Sequence, residues 1–203
     1  MTFKNPLLQE QLATDPFEQF QTWFRDATER QLKYPEAMTL ATSTSDGIPS
    51  ARMVLFKGLN SRGICFYTNF ESRKAQELLE NPRAALVFYW SALDRQIRIE
   101  GGIEKVTEQE SDDYWNSRPR DSRISALSSE QSQEVKSREE LESRFFTLQK
   151  KYEDQPIPRP PHWGGFCLVP QRFEFWMEGA HRLHDRFCYT RIDNTWKITR
   201  LSP

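Results

Sequence analysis

Glycine is scarce in this chain. Eight glycines occur in 203 residues, and none forms a Gly-x-Gly-x-x-Gly or Gly-x-x-x-x-Gly-Lys run, which excludes the two common main-chain cradles for phosphate. Any phosphate must therefore be held by side chains. Cysteine is equally sparse: Cys65, Cys167 and Cys188 are odd in number, widely spaced and in no Cys-x-x-Cys pair. That excludes a disulfide framework and a zinc ribbon and predicts buried free thiols. Long apolar runs are missing, and Met1 leads into Lys4 and Pro6 rather than into a signal peptide's apolar segment. No membrane partner is expected, and the expected location is the cytoplasm. A formal charge of -1 removes the electrostatic warrant for nucleic-acid binding, so any basic site is local. His181-x-x-His184 has metal-ligand spacing, but no second cluster completes it and Arg182 and Arg186 would repel a cation, so no metal is expected. A Ser-His-Asp hydrolase is unsupported, because His184 and Asp185 are adjacent and no Gly-x-Ser-x-Gly elbow exists.

What is present is aromatic bulk and a clear strand texture. The length suits one sizeable core, filled by fourteen phenylalanines, six tryptophans and six tyrosines. A single domain over residues 15–203 is expected, preceded by a mobile arm over 1–14. Asp15-Pro16-Phe17-Glu18 predicts a helix start, with Asp15 as cap and Glu18 reaching back, and Phe17, Phe20 and Phe24 then recur on a face that should pack on a sheet. Strand-like runs follow over 38–44 and 50–57 around the turn Ser45-Asp46-Gly47, and over 64–68. Ser72 opens a helix to about Glu80, Asn81-Pro82 ends it, and strands are predicted over 83–90 and 95–105.

Thr107 with Glu110 and Ser137 with Glu140 read as capping boxes, predicting helices over 108–117 and 138–152 with an arginine-rich turn between them. Pro156, Pro158, Pro160 and Pro161 make an extended connector. Strands over 166–169 and 172–178 and a last hairpin at Asp193-Asn194 complete the pattern. Consecutive strands joined by tight turns predict an α+β fold, mainly antiparallel sheet or barrel with flanking helices, rather than a doubly wound parallel sheet.

Two clusters carry chemistry. Ser117-Arg118-Pro119-Arg120-Asp121-Ser122 crowds guanidinium forks and hydroxyls around a stiff proline, a combination suited to gripping a phosphate. Phe175-Trp176 followed by Arg182-Leu183-His184-Asp185-Arg186 sets two cations, an imidazole and a carboxylate behind an aromatic pair. Further cations stand as Arg52 and Lys57 on one strand and as Arg73-Lys74 behind Ser72. Each pair alone is ordinarily a solvated surface charge. Arg73-Lys74 exceeds that reading, because a helix start aims free amides at the same point as the two cations. Tyr114 and Trp176 are ordinarily core residues, but an aromatic beside a phosphate clamp is a common way to hold a flat heterocycle. Together the clusters point to a phosphorylated small molecule.

The ordered motifs resemble those of the pyridoxine (pyridoxamine) 5'-phosphate oxidases. They are Arg52-Met53-Val54-Leu55-Phe56-Lys57, Phe66-Tyr67-Thr68-Asn69 with Ser72-Arg73-Lys74, Arg95-Gln96, Ser117 to Ser122, Gln131-Ser132, Trp163-Gly164-Gly165, Phe175-Trp176 with Arg182 to Arg186, and the ending from Trp196 to Pro203. The resemblance runs from about residue 15 to the C-terminus. It implies an FMN-binding split β-barrel that works as a homodimer, with flavins at the subunit interface touched by both chains. It further implies FMN contacts from Arg52, Met53, Val54, Leu55, Phe56, Lys57, Tyr67, Thr68, Arg73, Lys74, Gln96, Gln131, Ser132, Trp176 and Arg186. Lys57, Tyr114, Arg118 and Ser122 would grip the substrate phosphate, and Arg182 and His184 would lie against the pyridine ring as the catalytic pair. The implied reaction oxidises pyridoxine or pyridoxamine 5'-phosphate to pyridoxal 5'-phosphate, with O2 reoxidising the flavin to give hydrogen peroxide. The alternative is a low-activity protein that binds and delivers pyridoxal phosphate through the same clamp.

Overall fold

The expected helix start at Asp15 exists, and its details differ. The Asp15 carboxylate accepts the Phe17 N–H at 2.8 Å and Pro16 opens α1 (Pro16–Glu29). The side chain that reaches back is Gln19, which accepts the Ala13 N–H at 2.9 Å, rather than Glu18. The structure, a computed structural model, describes residues 6–203. The first five residues of the expected arm lie outside the described residues. From Leu7 the chain is tied down: the Leu7 N–H donates to Asp185 at 2.9 Å, and Leu7 and Leu12 are buried.

Nine strands form one curled sheet: β1 (Ala37–Ser43), β2 (Pro49–Leu55), β3 (Gly58–Leu59), β4 (Ile64–Asn69), β5 (Arg83–Trp90), β6 (Arg95–Lys105), β7 (Trp163–Met177), β8 (Asp185–Ile192) and β9 (Thr195–Arg200). All pairings are antiparallel, in the order β2-β1-β5-β6-β7-β4-β3, with β8 on β7 and β9 on β8. The expected antiparallel α+β architecture is what the chain adopts.

β7 is the spine of the sheet. Two strands were expected, over 166–169 and 172–178, yet a single fifteen-residue strand runs through Pro170. The register against β6 slips there, Glu100 facing Arg172 while Gly101 faces Pro170, so Gln171 is the extra residue of a bulge that absorbs the missing proline N–H. Gly101 makes the slip possible, since a Cβ on it would sit 2.1 Å from the Val169 carbonyl oxygen. β4 then pairs with the first half of β7 and β8 with the second.

The interior is filled from both sides of the curl. Phe20, Trp23 and Ala27 of α1 are buried against Phe88, Phe175 and their neighbours, with Phe20 to Phe88 at 5.2 Å and Trp23 to Phe175 at 5.3 Å between ring centroids. β1, β5 and β6 alternate buried and half-buried residues, as strands with one face on a core must. The remaining helices are α2 (Arg73–Glu80), α3 (Glu108–Ser117), α4 (Arg120–Ser128) and α5 (Arg138–Lys151). α4 is a correction: the segment between the capping-box helices was expected as a turn, because Pro119 and the dense charge hid a weakly amphipathic helix. The Thr107–Glu110 capping box is complete. At Ser137 only half forms, because Glu140 turns to Arg144 instead. A second small core of Trp115, Ile124, Ile157 and Trp163 fastens these helices to the sheet.

Candidate active site

A cavity of about 670 Å³ opens where α3, α4 and α5 meet the β4 end of β7. Its wall is aromatic. Tyr67 stacks on Tyr114 at 4.0 Å and on Trp163 at 5.7 Å, nearly parallel to both. Gly165 permits this, because a Cβ there would lie 2.7 Å from the Tyr67 ring. The Arg118 guanidinium lies 4.8 Å from the Trp163 ring centre and 5.4 Å from that of Trp115, so cation–π contact fixes its direction. Its Nη1 is buried and has no hydrogen-bond partner among the described residues. Desolvation lowers the Arg118 pKa and raises that of Tyr114. A buried guanidinium nitrogen without an acceptor is costly unless an anion meets it. Lys57 and Ser122 line the same cavity, so the four residues expected to hold a substrate phosphate are brought together, with Asp121 and Ser125 beside them.

A second cationic centre lies in the same cavity. Lys74 is 8 % exposed, and its Nζ reaches Thr68 Oγ1 at 3.1 Å, Ser72 Oγ at 3.2 Å and Gln131 Oε1 at 3.2 Å. These partners are neutral, and among the described residues no carboxylate pairs with it. Burial, with the nearby charge of Arg52, pushes its pKa down to about 8. Met53, Val54 and Leu55 border the cavity from β2, whose Met53 is 62 % exposed and Leu55 42 %.

Other expected flavin residues stand just outside. Arg52 and Arg73 converge on Glu77, at 3.1 Å and 2.9 Å, and Ser50 donates to the same carboxylate at 2.6 Å with Thr42 beside it. Glu77 is 4 % exposed. Burial alone would raise its pKa, but the four donors outweigh that and hold it at about 2. Sequence reasoning missed this buried carboxylate, since a glutamate four residues after an arginine on a helix looks like an ordinary surface pair. Phe56 points its ring inward against Phe20 at 5.4 Å and Phe24 at 5.1 Å, which occupies that side chain in the core. Ser132 is exposed, at positive φ, and does not line the cavity.

The remainder of the expected set is far away. Trp176 stands thirteen residues beyond Trp163 on β7, roughly 40 Å of strand contour at about 3.3 Å per residue. Gln96 faces it from β6 and Arg186 from β8. His184 packs 4.8 Å from the Trp176 ring and accepts the Gly179 N–H at Nδ1, 3.2 Å away. Arg182 is exposed, in a turn where His181 and Arg182 both adopt positive φ. Arg186 is held by the buried Glu174 at 2.8–2.9 Å and by the Ser202 carbonyl at 2.8 Å. One chain therefore carries two incomplete clusters at opposite ends of one strand.

Residues 24–152 match the family described as pyridoxamine 5'-phosphate oxidase, and residues 163–203 match the pyridoxine 5'-phosphate oxidase C-terminal dimerisation region. The chain belongs to the pyridoxamine 5'-phosphate oxidase family. Relatives named pyridoxine/pyridoxamine 5'-phosphate oxidase include one from Trichormus variabilis, 55 % identical over 97 % of this chain and 92 % of its own. Another, from Bordetella petrii, is 54 % identical over 98 % and 95 %. Among solved structures, PhzG from Burkholderia lata, in complex with tetrahydrophenazine-1-carboxylic acid, superposes with a TM-score of 0.92 at 34 % identity over 98 % of both chains. A pyridoxamine 5'-phosphate oxidase-related, FMN binding protein from Nostoc punctiforme shares the fold, with a TM-score of 0.76 at 19 % identity over 95 % of this chain and all of its own. No helix among the described residues of this family member is long and apolar enough to cross a membrane, and no metal-binding cluster occurs among them.

Proposed function

We propose that the chain is an FMN-dependent oxidase of pyridoxine 5'-phosphate and pyridoxamine 5'-phosphate, acting as a homodimer and yielding pyridoxal 5'-phosphate. The single observation that carries this reading is the unpartnered, buried Nη1 of Arg118 in a cavity it shares with Lys57, Tyr114 and Ser122. Such a site requires an anion with several acceptor oxygens. The donor set also fits a flavin phosphate: Lys74 is a buried ammonium with only neutral partners, and Arg52 and Arg73 are held ready beside it by Glu77.

FMN, when bound, would supply the redox chemistry, namely hydride acceptance and turnover with O2 to hydrogen peroxide. The protein's work is alignment. Lys57, Tyr114, Arg118 and Ser122 grip the substrate phosphate, and the stacked Tyr67, Tyr114 and Trp163 wall excludes water from one side. Tethering by the phosphate makes the reaction effectively intramolecular. Arg182 and His184 orient the pyridine ring and complete the site from a second copy, since in one chain they lie at the far end of β7. A two-fold pair would carry the β7–β8 turn of one protomer to the cavity of the other, and Trp176, Gln96 and Arg186 with it. The match of residues 163–203 to a dimerisation region supports this arrangement.

The test is anaerobic addition of pyridoxine 5'-phosphate to FMN-reconstituted protein, followed by air. Bleaching of the flavin's visible absorption, recovery in air and formation of pyridoxal phosphate are expected. A tightly held flavin that stays unbleached, with tight binding of pyridoxal phosphate, would instead support a delivery protein. One observation favours a further reading: the superposition on PhzG suggests oxidation of a reduced tricyclic acid. Bleaching by that acid but not by the phosphorylated pyridine would replace the reading proposed here.

A further inference from the structure

Two of the three free cysteines, which take no part in the proposed reaction, stand directly opposite each other: Cys65 on β4 faces Cys167 on β7. The strand pattern defines what kind of pair they make. The Lys57 N–H donates to the Cys65 carbonyl at 2.9 Å, so the polar main-chain groups of Cys65 point away from β7. The Val106 N–H donates to the Gly165 carbonyl at 3.1 Å, so Gly165, and Cys167 two residues on, direct theirs towards β6 and away from β4. The cysteines are therefore a non-hydrogen-bonded pair, the closer of the two antiparallel arrangements, with Cα atoms typically about 4.5 Å apart. That separation falls within the range of about 4.4–6.8 Å that a disulfide spans. Both side chains project to the same face and pack together with Val106 and Tyr67.

The surroundings favour chemistry at one sulfur. The Asn60 amide touches both, its Nδ2 donating to Cys65 Sγ at 3.3 Å while the Cys167 thiol reaches its Oδ1 at 3.6 Å. Hydrogen bonding from the Cys167 thiol, with the Arg62 charge nearby, brings the Cys65 pKa down against the opposing effects of burial and Glu110. The same bond, together with burial, pushes that of Cys167 up. Cys65 is also the more open of the two, at 5 % exposure against 0 %.

We propose that Cys65 and Cys167 are a peroxide-sensitive dithiol that closes reversibly to a disulfide across β4 and β7, beside the Tyr67 wall of the cavity. The Cys65 thiolate attacks one oxygen of hydrogen peroxide, the O–O bond breaks, and water leaves after taking up the thiol proton, leaving a sulfenic acid. Cys167 sulfur then attacks Cys65 sulfur, the S–S bond forms, the S–O bond breaks and a second water departs. The dithiol loses two electrons and two protons, and the peroxide is reduced to two waters. Added peroxide suffices, so the inference stands apart from the proposed oxidase activity.

The experiment exposes the full-length chain to a few-fold molar excess of hydrogen peroxide, quenches it with an alkylating agent under denaturing conditions and maps the peptides by mass spectrometry. Titratable thiols should fall from three to one, with Cys188 alkylated and Cys65 linked to Cys167, and dithiothreitol should restore all three. In Cys167→Ala, a dimedone adduct on Cys65 should replace the cross-link. Three thiols surviving in the wild-type chain, a cross-link that includes Cys188, or sulfinic acid at Cys65 without any link to Cys167 would overturn the proposal.

Discussion

The cations of the cavity and those around it are the same residue types in opposite electrostatic conditions. Arg118 and Lys74 are desolvated and form no ion pair with a carboxylate among the described residues, and the pKa of each is lowered. Arg52 and Arg73 are paired with Glu77, and at the far end of β7 Arg186 is paired with Glu174, carboxylates almost wholly removed from water. Burying a charge without a counter-charge costs stability, and a fold keeps such a group where a ligand supplies what the chain withholds. The paired arginines hold position, and the unpaired cations wait for an anion. Composition treats all of them alike.

Removing Glu77 should have the largest effect. Glu77→Ala leaves the partly shielded Arg52 and the Ser50 and Thr42 hydroxyls without the acceptor they share, and a loss of about 3 kcal/mol is expected in urea unfolding, because several charge-assisted hydrogen bonds go at once. The same carboxylate governs the acid limb. Its folded pKa of about 2 lies below the ordinary 4.5, so its stabilisation is full above pH 4.5 and is lost as pH falls towards 2. Glu110, held at about 2 by the Thr107 main chain and Arg62, adds to the same window, so Glu77→Gln should shallow the acid transition without abolishing it.

Arg118→Leu should sharpen the contrast by acting on function alone. Loss of a charge-assisted phosphate contact of about 2–3 kcal/mol predicts a fall in kcat/KM for pyridoxine 5'-phosphate of roughly 30- to 150-fold. FMN retention should be unchanged and the urea midpoint should not drop, because the variant deletes an unsatisfied donor. A lowered midpoint would mean that Arg118 is structural after all.

Lys74 predicts a smaller effect with a definite sign. Its depressed pKa means that burial penalises the folded, flavin-free chain below about pH 8 and that the penalty is relieved as pH rises towards 10.5. FMN affinity should move the other way, weakening above pH 8 by at most roughly tenfold per pH unit as the ammonium is lost. Fluorescence titration of FMN across pH 7–10 would read this, and Lys74→Met should flatten it.

The smallest effect belongs to a paired cation with a half-exposed side chain. Arg200 donates to Asp185, which also accepts the Leu7 N–H, so Arg200→Ala should lower stability by about 1 kcal/mol in urea unfolding.

Much of this was legible in the chain. Strands β5 and β6 and helix α3 follow alternation and capping signals, which are local and survive any tertiary arrangement. α4 was not legible, because Pro119 reads as a turn when nothing shows that it stands just before a helix. The continuity of β7 was hidden for a similar reason: whether Pro170 ends a strand depends on a partner that can slip by one residue, and that partner, Gly101, is distant in sequence. The cavity group Lys57, Tyr114, Arg118 and Ser122 was named from motifs, and the fold brings it together. Glu77, Glu174 and Asn60 carried no signal, since their importance lies in burial and in contacts distant in sequence.

By itself the sequence determined the antiparallel class, the absence of a main-chain phosphate cradle and the side chains that must replace it, because these depend on residue type and short-range periodicity. Tertiary structure alone decided which cations are neutralised and which are left wanting. It also set the two halves of the motif set at opposite ends of β7 and brought Cys65 against Cys167. Charge compensation and proximity are properties of folded space, and spacing along the chain does not encode them.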